Sequence, residues 1–160
     1  MSAVTVDVRI ADAAWETTED LPGLAQRAVA IAAGFLDTPI DGEVAILLTD
    51  DGEMQRLNRD WRGKDKPTDV LSFPADGHDP RTLGDLALGH GVCARDAAAL
   101  AIAFESHVSH LIIHGFFHLF GHDHEEDEDA RIMESLEVAA LARLGLHDPY
   151  SIGTLSDGND

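Results

Sequence analysis

Residues 114 to 124 read HGFFHLFGHDH, placing His114, His118 and His124 at the spacing HxxxHxxxxxH around one glycine, Gly121. Two histidines four residues apart on a helix lie on one face, about one turn from each other, so both imidazoles can reach the same ion. A glycine just past a helix end adopts the left-handed conformation cheaply and turns the chain back, which lets a third imidazole, His124, approach the first two. Three neutral imidazoles with an open fourth position are the catalytic form of a zinc site, whereas structural zinc sites are closed by four protein ligands. The chemistry this predicts is metal-assisted hydrolysis. The full ion charge activates a water and polarises an acceptor oxygen.

The spacing invites comparison with the long metalloprotease motif HExxHxxGxxH, since its histidines and glycine all coincide here. The glutamate that serves those enzymes as general base does not, because Gly115 occupies its place. The tripod is kept while the proton acceptor is gone, which weakens a peptidase reading. His107 and His110 extend the stripe, so that His107, His110, His114 and His118 fall within an arc of about 80° at the helical rotation. With three ligands already present, His107 and His110 are expected to line the pocket or to hydrogen-bond the ligands rather than to bind metal. Asp85 and Asp123 are candidate acceptors for the imidazole N–H groups or for a reacting proton, with turn or cap roles as the alternative.

The elements that carry these residues follow from periodicity. Val4 to Ile10 alternates as a half-buried strand, and Leu21 to Phe35 has Leu24, Ala28, Ile31 and Phe35 at helical spacing. Glu43 to Thr49 reads as a strand, followed by a helix capped by Asp50 or Asp51 and running to Trp61. Gly63 and Pro67 bracket a loop. Val70 to Phe73 and Leu83 to Leu88 are two more strands across a Pro/Gly/Asp-rich connection. An alanine-rich helix over 91–103, a break near Glu105 and the histidine helix over 106–120 come next. The histidine helix is apolar on nearly every side and must be buried centrally, so its polar stripe requires a reason, which a metal cavity open to solvent supplies. After it, Glu125 to Asp129 suits a helix N-terminus, and Ile132, Met133, Leu136, Ala140 and Leu144 form a packing stripe that Gly145 ends. The fold class expected is α+β: a small mixed sheet of about four strands with helices on its faces. Strand order is not legible from periodicity.

With 160 residues, of which 44% are hydrophobic, residues 1–150 are expected to form one domain, with 151–160 a polar, acidic, flexible tail. The lone Cys93 excludes an intrachain disulfide and fits a reducing compartment as a packing residue. No basic-then-apolar leader opens the chain and no stretch reaches the roughly 18 apolar residues of a membrane span, so a cytoplasmic protein with no membrane partner is expected. The net charge of −19 argues against nucleic acid over most of the surface. Yet Arg56, Arg59, Arg62, Lys64 and Lys66 fall within eleven positions against only Asp60 and Asp65, a local excess of three positive charges. That segment is either a basic patch on an acidic body or a solvated loop of mixed charge.

HGFFHLFGHDH resembles the HGxLHLxGYDH signature of the YbeY family, and LNRDWRGKDKPTDVLSFP, from Leu57, resembles that family's other long motif. LGD at Leu83 to Asp85 and DPY at Asp148 to Tyr150 fit as well, so the similarity covers most of the chain from Leu57 onward. The resemblance implies a single-strand-specific endoribonuclease that acts in maturation of small-subunit ribosomal RNA and in ribosome quality control, with rRNA precursor and the small subunit as partners. It implies one zinc held by His114, His118 and His124, and it maps the family's motif arginine onto Arg62, here preceded by Trp61 instead of tyrosine. Inside the metal motif, Phe117 replaces leucine and His122 replaces tyrosine. Phe117 is a packing exchange, and His122 sets a fourth imidazole beside the ligands as either a bystander or a titrating group.

Arg62, a planar fork of donors, suits a phosphodiester oxygen and the charge that grows on it, so Arg62 and His114 are the expected catalytic residues. Arg59, Lys64 and Lys66 are candidates for holding the RNA backbone. Competing readings are a zinc peptidase or other metal hydrolase, and a non-catalytic ribosome-binding factor with structural zinc. Imidazole sites also accept nickel, copper or iron.

Overall fold

The computed structural model describes residues 3–121 and 127–146. Four strands, β1 (Ala3–Ile10), β2 (Asp41–Thr49), β3 (Val70–Pro74) and β4 (Thr82–Gly89), form one mixed sheet in the order β1-β2-β4-β3. β1 and β4 both run parallel to β2, while β3 runs antiparallel to β4 at the edge. Five α-helices complete the α+β fold: α1 (Leu21–Ala33), α2 (Asp51–Arg62), α3 (His90–Leu100), α4 (Phe104–Leu119) and α5 (Asp127–Arg143).

The sheet's two faces are unequal. Val44, Ile46, Leu48, Val70, Leu86 and Leu88 point to one side and form the main core with α1, α4 and α5. The alternate residues Leu71 and Ala87 point to the other side, where α2 covers them through Met54, with Leu47, Leu57 and Phe73 packed around. Asp50 caps α2 by accepting from the Glu53 N–H at 2.8 Å, and Gly63 ends it in the left-handed conformation at φ 73°.

Four local details differ from the periodicity reading. The connection after β1 contains a short 3-10 helix (Ala13–Thr17) anchored by Trp15, which is fully buried and donates its indole N–H to the Thr49 carbonyl at 2.9 Å. α1 stops at Ala33, with Gly34 as its cap, so Phe35 packs on the core from beyond the helix. The break between α3 and α4 falls at 101–103, before Glu105, because Ala101 adopts the left-handed conformation and the two helices meet at 115°. Ile132 is 46% exposed and lies outside the α5 packing stripe, which runs instead through Met133, Glu137, Ala140 and Leu141. Among the described residues no single helix is long and apolar enough to cross a membrane.

Candidate metal centre

α4 is the innermost helix, with Val108, Leu111, Ile112, Ile113, Phe116 and Phe117 at most 2% exposed. Gly115 brings it down onto the sheet. A Cβ there would lie 3.0 Å from Leu86 Cδ2 and 3.1 Å from Ser72 Oγ, and the Ser72 hydroxyl donates to the Gly115 carbonyl at 3.0 Å. A side chain where the protease motif needs its glutamate would therefore have to push Leu86 and Ser72 aside. Gly121, just past the helix, has φ 87° and open space where its Cβ would be, so its conformation alone demands glycine.

The imidazoles line up along one side of α4. Ring centroids are 6.4 Å apart for His107 and His110, 6.3 Å for His110 and His114, and 4.7 Å for His114 and His118. Sequence reasoning missed the group that organises them, Glu137 of α5, which is fully buried. One carboxylate oxygen lies 2.5 Å from His110 Nε2 and the other 3.1 Å from His114 Nδ1. Burial pushes the Glu137 carboxyl up, but the bonds to His110 and His114 outweigh it and hold it well below the usual carboxylate range. The signal was available: a lone glutamate among Met133, Ala140 and Leu141 is an acid on a buried stripe, which requires a partner.

His110, His114 and Glu137 bring one ligand atom each within 4.8 Å of one another and could hold a divalent ion. Glu137 engages Nδ1 of His114, the arrangement in which a carboxylate fixes the tautomer and orientation of a metal-binding imidazole. His114 and His118 are adjacent as the spacing requires; His122, Asp123, His124 and the DPY segment lie outside the described residues. Asp85 is not brought to the histidines. It pairs across the sheet with Phe73 on the α2 side, whereas its neighbours Gly84 and Leu86 face α4, so strand alternation turns it away from the imidazoles. Asp85 instead lines a cleft of about 690 Å³ with Arg9, Ala45, Leu47, Trp61 and Phe73.

The basic segment lies where α2 ends. Asn58, 2% exposed, braces it by donating to the Lys66 carbonyl at 2.9 Å, while the Lys64 N–H donates to the Asn58 carbonyl at 3.2 Å. Arg56 pairs with Glu53 and with Asp60 at 3.6 Å, and Arg59 with Asp60 at 3.2 Å and Asp65 at 4.0 Å. Arg56 and Arg59 are thus countered by neighbouring carboxylates. Arg62, Lys64 and Lys66 are exposed. Trp61, 71% exposed, leans edge-on against Phe73 at 5.9 Å, and Leu119 packs over Gly84, which pairs with Pro74. The C-terminal ends of α2 and α4 therefore flank the same end of the β3–β4 pair, from opposite faces.

Fold and site together define an α+β protein built around a carboxylate-anchored row of imidazoles. Comparison with known proteins supplies the family: the model of endoribonuclease YbeY matches residues 8–145. The chain is 46% identical over 154 residues to the endoribonuclease YbeY of Chelativorans sp. (strain BNC1), covering 93% of this chain and 94% of that one. It is 47% identical over 146 residues to that of Bradyrhizobium diazoefficiens, covering 86% and 80%. The solution structure of TM1509 from Thermotoga maritima superposes with a TM-score of 0.55 at 21% identity, over 98% of this chain and all of the other, a likeness of fold. This chain belongs to the endoribonuclease YbeY family.

Proposed function

We propose that this protein is a zinc-dependent, single-strand-specific endoribonuclease that acts on small-subunit ribosomal RNA precursors and in ribosome quality control, with zinc held by His114, His118 and His124. Family membership supports RNA cleavage. The observation that carries the metal assignment is the Glu137–His114 bond, which commits Nδ1 to a buried carboxylate, with the His118 ring 4.7 Å from that of His114. An all-imidazole donor set suits zinc and leaves the ion its full charge.

When bound, the ion supplies a Lewis acid for a phosphodiester oxygen. The remaining work falls to the chain. Glu137 holds His114 in one tautomer and shares its second oxygen with His110, so neither ring turns freely. Arg62 presents a fork of donors at the same end of the sheet as His118 and orients the phosphodiester. Lys64 and Lys66 add positive charge for the backbone on either side. Gly115 stands where a peptidase of this motif carries its glutamate base, and a side chain there would crowd Leu86 and Ser72, which disfavours a peptidase.

Metal content and cleavage of single-stranded RNA, measured on wild type, His114→Ala and Arg62→Ala, test the reading. His114→Ala should lose both zinc and cleavage. Arg62→Ala should keep zinc and lose cleavage by about 10²–10³-fold, the usual effect of deleting one donor to a developing oxyanion. Cleavage that persists in His114→Ala sinks the metal-dependent mechanism, and a wild-type rate in Arg62→Ala removes Arg62 from it.

A further inference from the structure

His107, at the N-terminal end of the histidine stripe, has no part in the proposed cleavage. His107 is fully buried, and neither ring nitrogen has a hydrogen-bond partner among the described residues. A neutral imidazole always carries one N–H and one lone pair, and a buried polar group left unsatisfied costs roughly 1–3 kcal/mol. Facing it are two carboxylates, Asp69 at the start of β3, 4% exposed, and Asp96 on α3, half-buried. Asp69 accepts from the Val70 N–H at 2.7 Å and from the Thr68 hydroxyl at 3.4 Å. Neither carboxylate has a lysine or arginine within ion-pair distance among the described residues, because the neighbouring Arg95 is committed to Asp51 at 2.9 Å.

One ligand atom each from Asp69, Asp96 and His107 lies within 4.8 Å of the other two. No hydrogen bond joins His107 to either carboxylate, yet donors this close can share an ion. Ligand atoms about 2.0–2.2 Å from one metal sit roughly 3–4 Å from each other. Two carboxylates without an ion-pair partner among the described residues, only one of them acted on by a nearby arginine, Arg95 on Asp96, and one imidazole together suit a divalent charge and three bonds. His107 lies two helical turns before His114, about 10 Å along the axis, so this set draws on different ligands from the His114 centre, although His114 acts electrostatically on Asp69.

We propose that Asp69, Asp96 and His107 form a second divalent-cation site, of mixed oxygen and nitrogen character suited to Mn2+ or Zn2+, that ties α3 and α4 to the start of β3. The mixed donor set favours manganese more than an all-imidazole site does. Half-buried Asp96 gives the ion a way in, and the bound ion pins the 115° corner between α3 and α4.

The test uses the full chain preloaded with one equivalent of zinc and titrated with Mn2+ while free manganese is followed by electron paramagnetic resonance. Wild type should bind one further Mn2+, and Asp96→Asn, an isosteric change at a partly exposed position, should bind it at least about tenfold more weakly. His118→Ala, which disables the other centre, should retain the Mn2+. Nitrogen modulation in the spectrum of the bound ion should vanish in His107→Leu; if that variant does not fold, Asp96→Asn decides. Absence of bound Mn2+ in wild type, unchanged affinity in Asp96→Asn, or loss of Mn2+ in His118→Ala each overturns the site.

Discussion

Glu137 and Asp69 are both buried carboxylates beside the same helix, and their environments drive them in opposite directions. Glu137 is completed by two imidazoles, whose bonds overcome the cost of burial and keep it ionised. Asp69 has burial against it, opposed chiefly by one backbone N–H, and the nearby Asp96 carboxylate adds to the burden, so its pKa is pushed up to about 6. The imidazoles differ in the same sense. His114 is held by a carboxylate, whereas His107 is lowered to about 4 by burial, with His110 adding to the effect. Burial alone therefore does not set the state of these groups. The partner does.

The largest effect should come from breaking the completed end. Glu137→Ala is expected to cost about 3–5 kcal/mol of stability, measured by denaturant unfolding, since it strips a buried pair of one member. A loss under about 1 kcal/mol would mean that the two imidazoles do not depend on it. Glu137→Gln sharpens the point by keeping the shape. Zinc affinity, read by competition with a chromophoric chelator, should fall about 10–100-fold, as for other carboxylates that orient a ligating histidine.

The incomplete end should show itself in pH dependence, measured in chelator. Because the folded pKa of His107 lies below its ordinary value of 6.5, the unfolded chain takes up the proton first as pH falls. His107 thus withdraws stability between pH 6.5 and about 4, up to about 3 kcal/mol, while Asp69, raised to about 6, returns some over part of that window. In His107→Leu the first contribution disappears, so stability should fall less on acidification than in wild type. Parallel curves for the two proteins would contradict the lowered pKa. The smallest effect is Asp96→Asn in chelator, within about 0.5 kcal/mol of wild type, because the residue is half-exposed.

Much of the frame was legible. Alternation marked β1, short apolar runs between turn signals marked the other three strands, and the apolar surround of residues 106–120 marked a central helix, because hydrophobic pattern and buried face are the same physical fact. The shifted break at Ala101 was not visible, since an alanine in the left-handed conformation leaves no mark in composition. Trp15 escaped for a similar reason: one aromatic anchoring a short turn has no period. Asp85, a candidate acceptor for the imidazoles with a turn or cap role as the alternative, proved to face the other side of the sheet, because which face of a strand a residue takes depends on what packs there.

By itself the sequence determined the row of imidazoles on one side of a buried helix, the glycine that ends it, and the exclusion of the protease base at Gly115. These depend only on helical geometry and on residue type. Tertiary structure alone decided which carboxylates meet that row. Glu137 reaches His110 and His114 from 27 and 23 positions away, and Asp69 and Asp96 approach His107 from a strand and a second helix. Spacing along the chain reports neighbours within one element, whereas the groups that fix a histidine's proton arrive from others, and only packing brings them into contact.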